Sequence, residues 1–351
     1  MRGWRAAIAG GIVLLLAPWF GAAHEVDLRR LPLGDGKISQ APRVGWIWAC
    51  RINPGAGGAH RKGPWIRADG TWDSLAKPTV SGSVTWLGRW TIELLGDRRV
   101  FVSNGLPKHP TGSFPISPSE PGYQYDRNPN RIAEQTVRIE LPANPQLAPA
   151  PTCAPGAVGI LLTGVALFNA LDAPGRDAPA HEVQDRCQGH PQVSGVYHYH
   201  SLTSCIDDKP GPDGHSPLVG YALDGFGIFG MYEGGKKLSS RDLDECHGHT
   251  HEIVWDGKRV TMFHYHATPD FPYTVGCMRG TIRREDVRTI SGPPPGGTPG
   301  RPPDLAAAAN ELQIPVERLR AALGPPPPDL AAAAARLGIS EQRLRRALGV
   351  P

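Results

Sequence analysis

Hydrophobic and polar positions over residues 24–150 follow no long helical period. Short β-like runs at 44–49, 80–86, Trp90–Leu95 and 100–102 alternate with turn residues. Residues 136–141 alternate apolar and polar side chains, the period of a half-buried strand. The apolar stretch 157–170 is long enough for a helix, but its glycines and β-branched residues predict one or two buried strands instead. The pattern changes only near the C-terminus. There Asp304-Leu305-Ala306 and Asp329-Leu330-Ala331 open two units with a 25-residue period. Leu312 matches Leu337, Leu319 matches Leu344, and Leu323 matches Leu348, so each unit reads as two short helices. Asp304 and Asp329 are the expected N-caps, and Gly324 and Gly349 follow the final helices. The fold class is therefore mainly β, with short helical hairpins at the C-terminus.

The N-terminus reads as an export signal over 1–23. Arg2 and Arg5 form a positive segment, 6–20 is apolar, and Gly21, Ala22 and Ala23 are small, with cleavage after Ala22 or Ala23. Cleavage after Ala23 would leave His24 as a copper-chelating N-terminus. The apolar segment is too short and glycine-rich for a membrane span, and none follows it. A secreted or periplasmic location is the expectation. The full division is a β domain over 24–290, a Gly/Pro linker over 291–303, and helical repeats over 304–351. The repeats bury their Leu/Ala faces on each other or on a protein partner. Their likeness to a helix-turn-helix is set aside, because the chain is exported and each unit has only two short helices.

An oxidising compartment makes disulfides the default for Cys50, Cys153, Cys187, Cys205, Cys246 and Cys277. Bridges within each repeat (Cys187–Cys205, Cys246–Cys277, leaving Cys50–Cys153) and bridges between repeats both fit. A formal charge of +4 is too weakly basic for a nucleic-acid footprint. The 43 glycines and 37 prolines disfavour a long-helix protein.

The histidines carry the chemistry. Residues 180–282 hold an internal duplication with the pattern D-x-C-x-G-H, then aromatic-H-Y-H, then C. One copy runs from Asp185 through His190 and Tyr197-His198-Tyr199-His200 to Cys205. The other runs from Asp244 through His249 and Phe263-His264-Tyr265-His266 to Cys277. On a strand, period two puts His198 and His200 on one face and the tyrosines on the other. His264 and His266 repeat the device, and two such strands side by side would converge four imidazoles on one ion. His190 and His249 are further ligands or supports for a ligand. His247 and His251 are weaker candidates, and His60, His109 and His215 read as loop residues. Asp224 and Glu182 are the carboxylates that could act as ligand or general base, while Asp185 and Asp244 read as backbone-capping groups. Gly225–Gly230 matches G-x-G-x-x-G but opens no helix, so it is not read as a nucleotide site.

These residues resemble the YHYH-domain proteins, an exported bacterial family named for the motif at Tyr197–His200. The resemblance also takes in Gly63-Pro64-Trp65-Ile66, Asn104-Gly105-Leu106-Pro107, Asp126-Arg127-Asn128-Pro129-Asn130 and Phe271-Pro272-Tyr273-Thr274, and spans about 30–282. It implies export and a shared fold, and brings no activity with it. The residues themselves point to an exported protein binding a divalent or copper ion, with zinc and copper both suited to imidazole. The rival readings are a metal-dependent hydrolase or oxidase and a structural or adhesion protein of the cell envelope.

Overall fold

The computed structural model describes residues 26–54, 56–291, 305–324 and 328–348. The expected signal, nearly all of the expected linker, His24, Asp304 and Gly349 lie outside them.

A three-stranded antiparallel sheet comprises β1 (Trp90–Leu95), β2 (Arg98–Ser103) and β3 (Val137–Pro142). The stretch 157–170 resolves into two strands, β4 (Ala157–Leu161) and β5 (Ala166–Phe168), reversed through Gly164 at φ 83°. They join β6 (Gly189–Pro191), β7 (Tyr197–Tyr199), β8 (Leu218–Ala222), β9 (Gly227–Phe229), β10 (Gly248–Trp255) and β11 (Lys258–His266) in an eight-stranded mixed sheet. The order is β10-β11-β9-β8-β4-β5-β7-β6. Runs 44–49 and 80–86 do not form extended strands. They contribute isolated bridges at Ile47, Ala49, Val80 and Val84; Gly45, at positive φ, turns the chain inside the first run, and Gly82, also at positive φ, interrupts the second.

The large sheet is built from two equivalent halves. β4 and β8 pair antiparallel at its centre, with Ile160 opposite Tyr221. Outward from there, β4-β5 and β8-β9 are antiparallel, β5-β7 and β9-β11 are parallel, and β7-β6 and β11-β10 are antiparallel. The repeat is therefore longer than its histidine motif. Val158-Gly159, Thr163-Gly164 and Phe168 match Val219-Gly220, Asp224-Gly225 and Phe229 at a constant offset.

Ile160, Leu161, Val165, Leu167, Tyr197, Tyr199 and Tyr265 are fully buried in the core. Disulfides Cys187–Cys205 and Cys246–Cys277 close a loop within each half, and Cys50–Cys153 ties the N-terminal loops to the residues preceding β4. Among the described residues, no helix is long and apolar enough to cross a membrane.

Helices α1 (Ala178–His181) and α2 (Arg284–Ile290) flank the sheets. The tail forms α3 (Leu305–Leu312), α4 (Val316–Leu323), α5 (Leu330–Leu337) and α6 (Glu341–Leu348). Leu312, Leu319, Leu337 and Leu344 share one small core, so the hairpins cover each other's apolar faces. Asp329 caps α5 by accepting from Ala332 N–H and also accepts from the Tyr123 hydroxyl. Asp329→Ala is expected to lower the thermal stability of this bundle by about 1 kcal/mol, read as an earlier loss of helical circular dichroism.

Candidate metal centres

The strand alternation brings His198 and His200 to one face and sends Tyr197 and Tyr199 to the other. There Tyr197 donates to Asp185. Gly189, which precedes His190, faces this tyrosine: a Cβ there would lie 2.1 Å from the Tyr197 ring. A Cβ on Gly248 would lie 2.4 Å from the His264 carbonyl oxygen. The Gly-His step of the motif is thus a packing requirement that lets β6 and β10 close on their partners. Asp185 accepts from the amides of Cys187 and Gly189, and Asp244 from those of Cys246 and Gly248.

In the first half, His198 Nδ1 lies 3.1 Å from the Val196 carbonyl and His200 Nδ1 2.6 Å from the Asn169 carbonyl. A carbonyl only accepts, so both Nδ1 atoms carry the proton and both Nε2 atoms present lone pairs. These two Nε2 atoms face each other at 3.1 Å. Glu182 Oε2 lies 3.4 Å from His200 Nε2 and 3.5 Å from His190 Nε2. Glu182 Oε2 and His190 Nε2 are buried with no hydrogen-bond partner among the described residues. Asn128 Nδ2 faces His190 Nδ1 at 3.3 Å while donating to the Pro191 carbonyl. An amide donor there puts the ring proton on His190 Nε2, so His190 has to shift that proton before it can ligate.

The second half repeats the arrangement. His264 Nδ1 lies 3.1 Å from the Met262 carbonyl and His266 Nδ1 2.7 Å from the Gly230 carbonyl, the position equivalent to Asn169. Their Nε2 atoms stand 3.1 Å apart, and His249 Nε2 is 3.2 Å from His264 Nε2. Glu233 Oε2 lies 3.4 Å from His249 Nε2, and its other oxygen is 2.8 Å from His251 Nδ1. Phe168 stacks on His198 in one half, and Phe229 meets His264 edge-on in the other.

Two ligand atoms bound about 2.0–2.1 Å from one ion at a tetrahedral angle lie about 3.3 Å apart. The observed separations of 3.1–3.5 Å match that spacing in both clusters. Opposed lone pairs at this distance repel unless a cation or a proton lies between them. Burial opposes the proton. It holds His200 down to about 4 and His264 to about 3, and drives His190, His198 and His266 well below the ordinary imidazole value. The like-charge effect of neighbouring imidazoles adds to burial at His190, His198 and His266. Burial, reinforced by Asp172, pushes the Glu182 carboxyl well above its ordinary value.

The four imidazoles of the two H-x-H pairs do not meet. Five strand spacings separate β7 from β11, about 24 Å at about 4.8 Å each. The single four-histidine site is therefore replaced by two clusters on the same sheet face. His215, expected in a loop without a role, lies against the second cluster. Its ring centroid is 5.5 Å from His264 and 5.1 Å from His266, and its Nε2 is buried without a hydrogen-bond partner. Glu233 was not anticipated because its counterpart in the repeat, Asp172, is occupied by Arg176, and Glu182 takes that place in the first cluster. Asp224 belongs to neither cluster. It sits behind the sheet, where it accepts from the Tyr265 hydroxyl and from the amides of Phe226, Arg279 and Gly280. His247 occupies the left-handed turn position before Gly248 and bonds Thr268, while His109 bonds the Tyr199 hydroxyl.

Residues 138–238 match the family described as YHYH protein. The span holds the whole first cluster and stops short of β10 and β11. No curated protein and no solved structure matches the chain.

Proposed function

From a chain that carries a YHYH-family domain, we propose an exported protein whose β domain, residues 24–290, binds two metal ions, one in each half of the duplicated sheet. His198, His200 and Glu182 hold the first ion, with His190 joining once its proton has moved. His264, His266, His249 and Glu233 hold the second. The ions are copper or zinc, the metals that neutral imidazole with one carboxylate suits. The supporting observation is the opposition of Nε2 lone pairs at 3.1 Å in both halves, with each tautomer pinned by a backbone carbonyl. Such carbonyl contacts orient the imidazoles of metal sites. The tail repeats, which meet the β domain through Asp329 and Tyr123, are the part of the chain proposed to take a protein partner.

Metal analysis of protein purified from its native compartment tests this reading. Two ions per chain are expected for the natural protein, with loss of both in the His198→Ala/His264→Ala variant. Unchanged metal content in a folded double variant overturns the assignment.

A further inference from the structure

The two clusters differ in access to solvent. The His190 and His200 side chains are each 4% exposed and Glu182 13%. In the second cluster His264 and His266 are buried, but the His249 side chain is 23% exposed and Glu233 18%, and His251, whose Nδ1 lies 2.8 Å from Glu233, is 59% exposed. A cavity of about 190 Å³ also adjoins the second cluster, lined by His215 and Phe229, with Asp213, Glu252 and Arg259 among its polar walls. Both His215 and Phe229 pack against His264 and His266. His215 thus lines the cavity and packs on the ligand rings, with a buried nitrogen that no hydrogen bond among the described residues satisfies.

We infer that the halves have diverged in role. The second centre exchanges its ion with solvent through the opening between His249, His251 and the His215 cavity, and the first keeps its ion as part of the fold. This rests on the metal-binding reading above. In the second centre His215 supplies an additional donor as the ion passes. His251 stands 2.8 Å from the outer oxygen of Glu233 at the rim, where the ion first arrives.

Chelator kinetics test the division. Zinc-loaded protein is mixed with excess EDTA, and the zinc remaining with the protein is followed over time. Half of the zinc should leave in a fast phase and half in a slow one. His249→Ala should remove the fast half and leave the slow half. Glu182→Gln, which retains the shape of the side chain, should alter only the slow half. His251→Ala should weaken zinc binding in the fast half about 10–100-fold, the usual cost of losing a group that orients a ligand. Release of both ions in one phase overturns the inference while leaving the metal reading intact. A fast half that survives His249→Ala does the same. Protein that takes up no zinc overturns the metal reading itself, and this inference with it.

Discussion

Asp224→Ala is expected to destabilise the protein by about 3–5 kcal/mol, the cost of removing the shared acceptor of several buried hydrogen-bond donors. For a β domain of this size that is about 10 °C in melting temperature. The carboxylate is 1% exposed and accepts from four donors, the Tyr265 hydroxyl at 2.7 Å and the amides of Gly280, Arg279 and Phe226 at 2.9, 3.1 and 3.3 Å. Removing it takes the side-chain acceptor from the Gly280 and Phe226 amides, at about 1–3 kcal/mol each, while the Arg279 amide still reaches the Tyr265 hydroxyl and that hydroxyl still reaches the Cys277 carbonyl. Asp224→Asn keeps an acceptor oxygen and should cost less, about 1–2 kcal/mol. Thermal unfolding of the two variants, with metal content measured alongside, checks this. The prediction fails if Asp224→Ala melts like the natural protein and loses metal, because Asp224 would then act at a metal centre.

Removing the metal should have the other large effect. An ion that binds the folded state alone stabilises it by about 4 kcal/mol per centre when free metal exceeds the dissociation constant a thousandfold. Stripping both centres at neutral pH should therefore lower the melting temperature sharply, and restoring zinc should recover it. The difference between loaded and stripped protein should also depend on pH with a definite sign. His200 and His264, held at about 4 and about 3, keep their lone pairs vacant well below the usual imidazole range. Protons therefore compete with the ions only in strong acid. The imidazole share of the stabilisation should persist as pH falls from 7 and collapse as it nears 4 in the first centre and 3 in the second. Glu182, raised by burial, acts in the same direction but over a higher pH range than the imidazoles. Binding at the first centre must displace its proton, so that share grows as pH rises through the Glu182 range. In stripped protein the depressed imidazoles contribute stability that is full above 6.5 and lost as pH falls toward 4 and 3. Melting curves of both forms across pH 3–8 measure all of this. A loaded-minus-stripped difference that vanishes near 6.5 would mean that solvent-exposed histidines hold the metal.

Much of the fold was legible in the local pattern. The two buried strands within 157–170, the alternating strand at 136–141 and the four tail helices depend on side-chain periodicity, which operates over a few residues. The tail helices repeat at 25 residues because each buries the same Leu/Ala stripe, and the same stripe is visible in the sequence. The glycines at 45 and 82 interrupted two expected strands, since a positive-φ residue breaks the extended backbone whatever its neighbours prefer.

By itself the sequence determined that His198 and His200 share a face, that His264 and His266 share another, and that the two belong to equivalent units. Those facts follow from the two-residue period of a strand and from a repeated motif. Only the tertiary structure decided that the units lie apart. β4 and β8 pair at the middle of the sheet, so each histidine strand is carried outward and the imidazoles form two clusters. It also decided which carboxylates complete them. Asp172 and Glu233 are equivalent in sequence, but Arg176 occupies Asp172, and Glu182 reaches the first cluster from ten residues further along. The burial of one centre and the opening of the other arise the same way, from what packs over each half, and a repeated motif carries no trace of that.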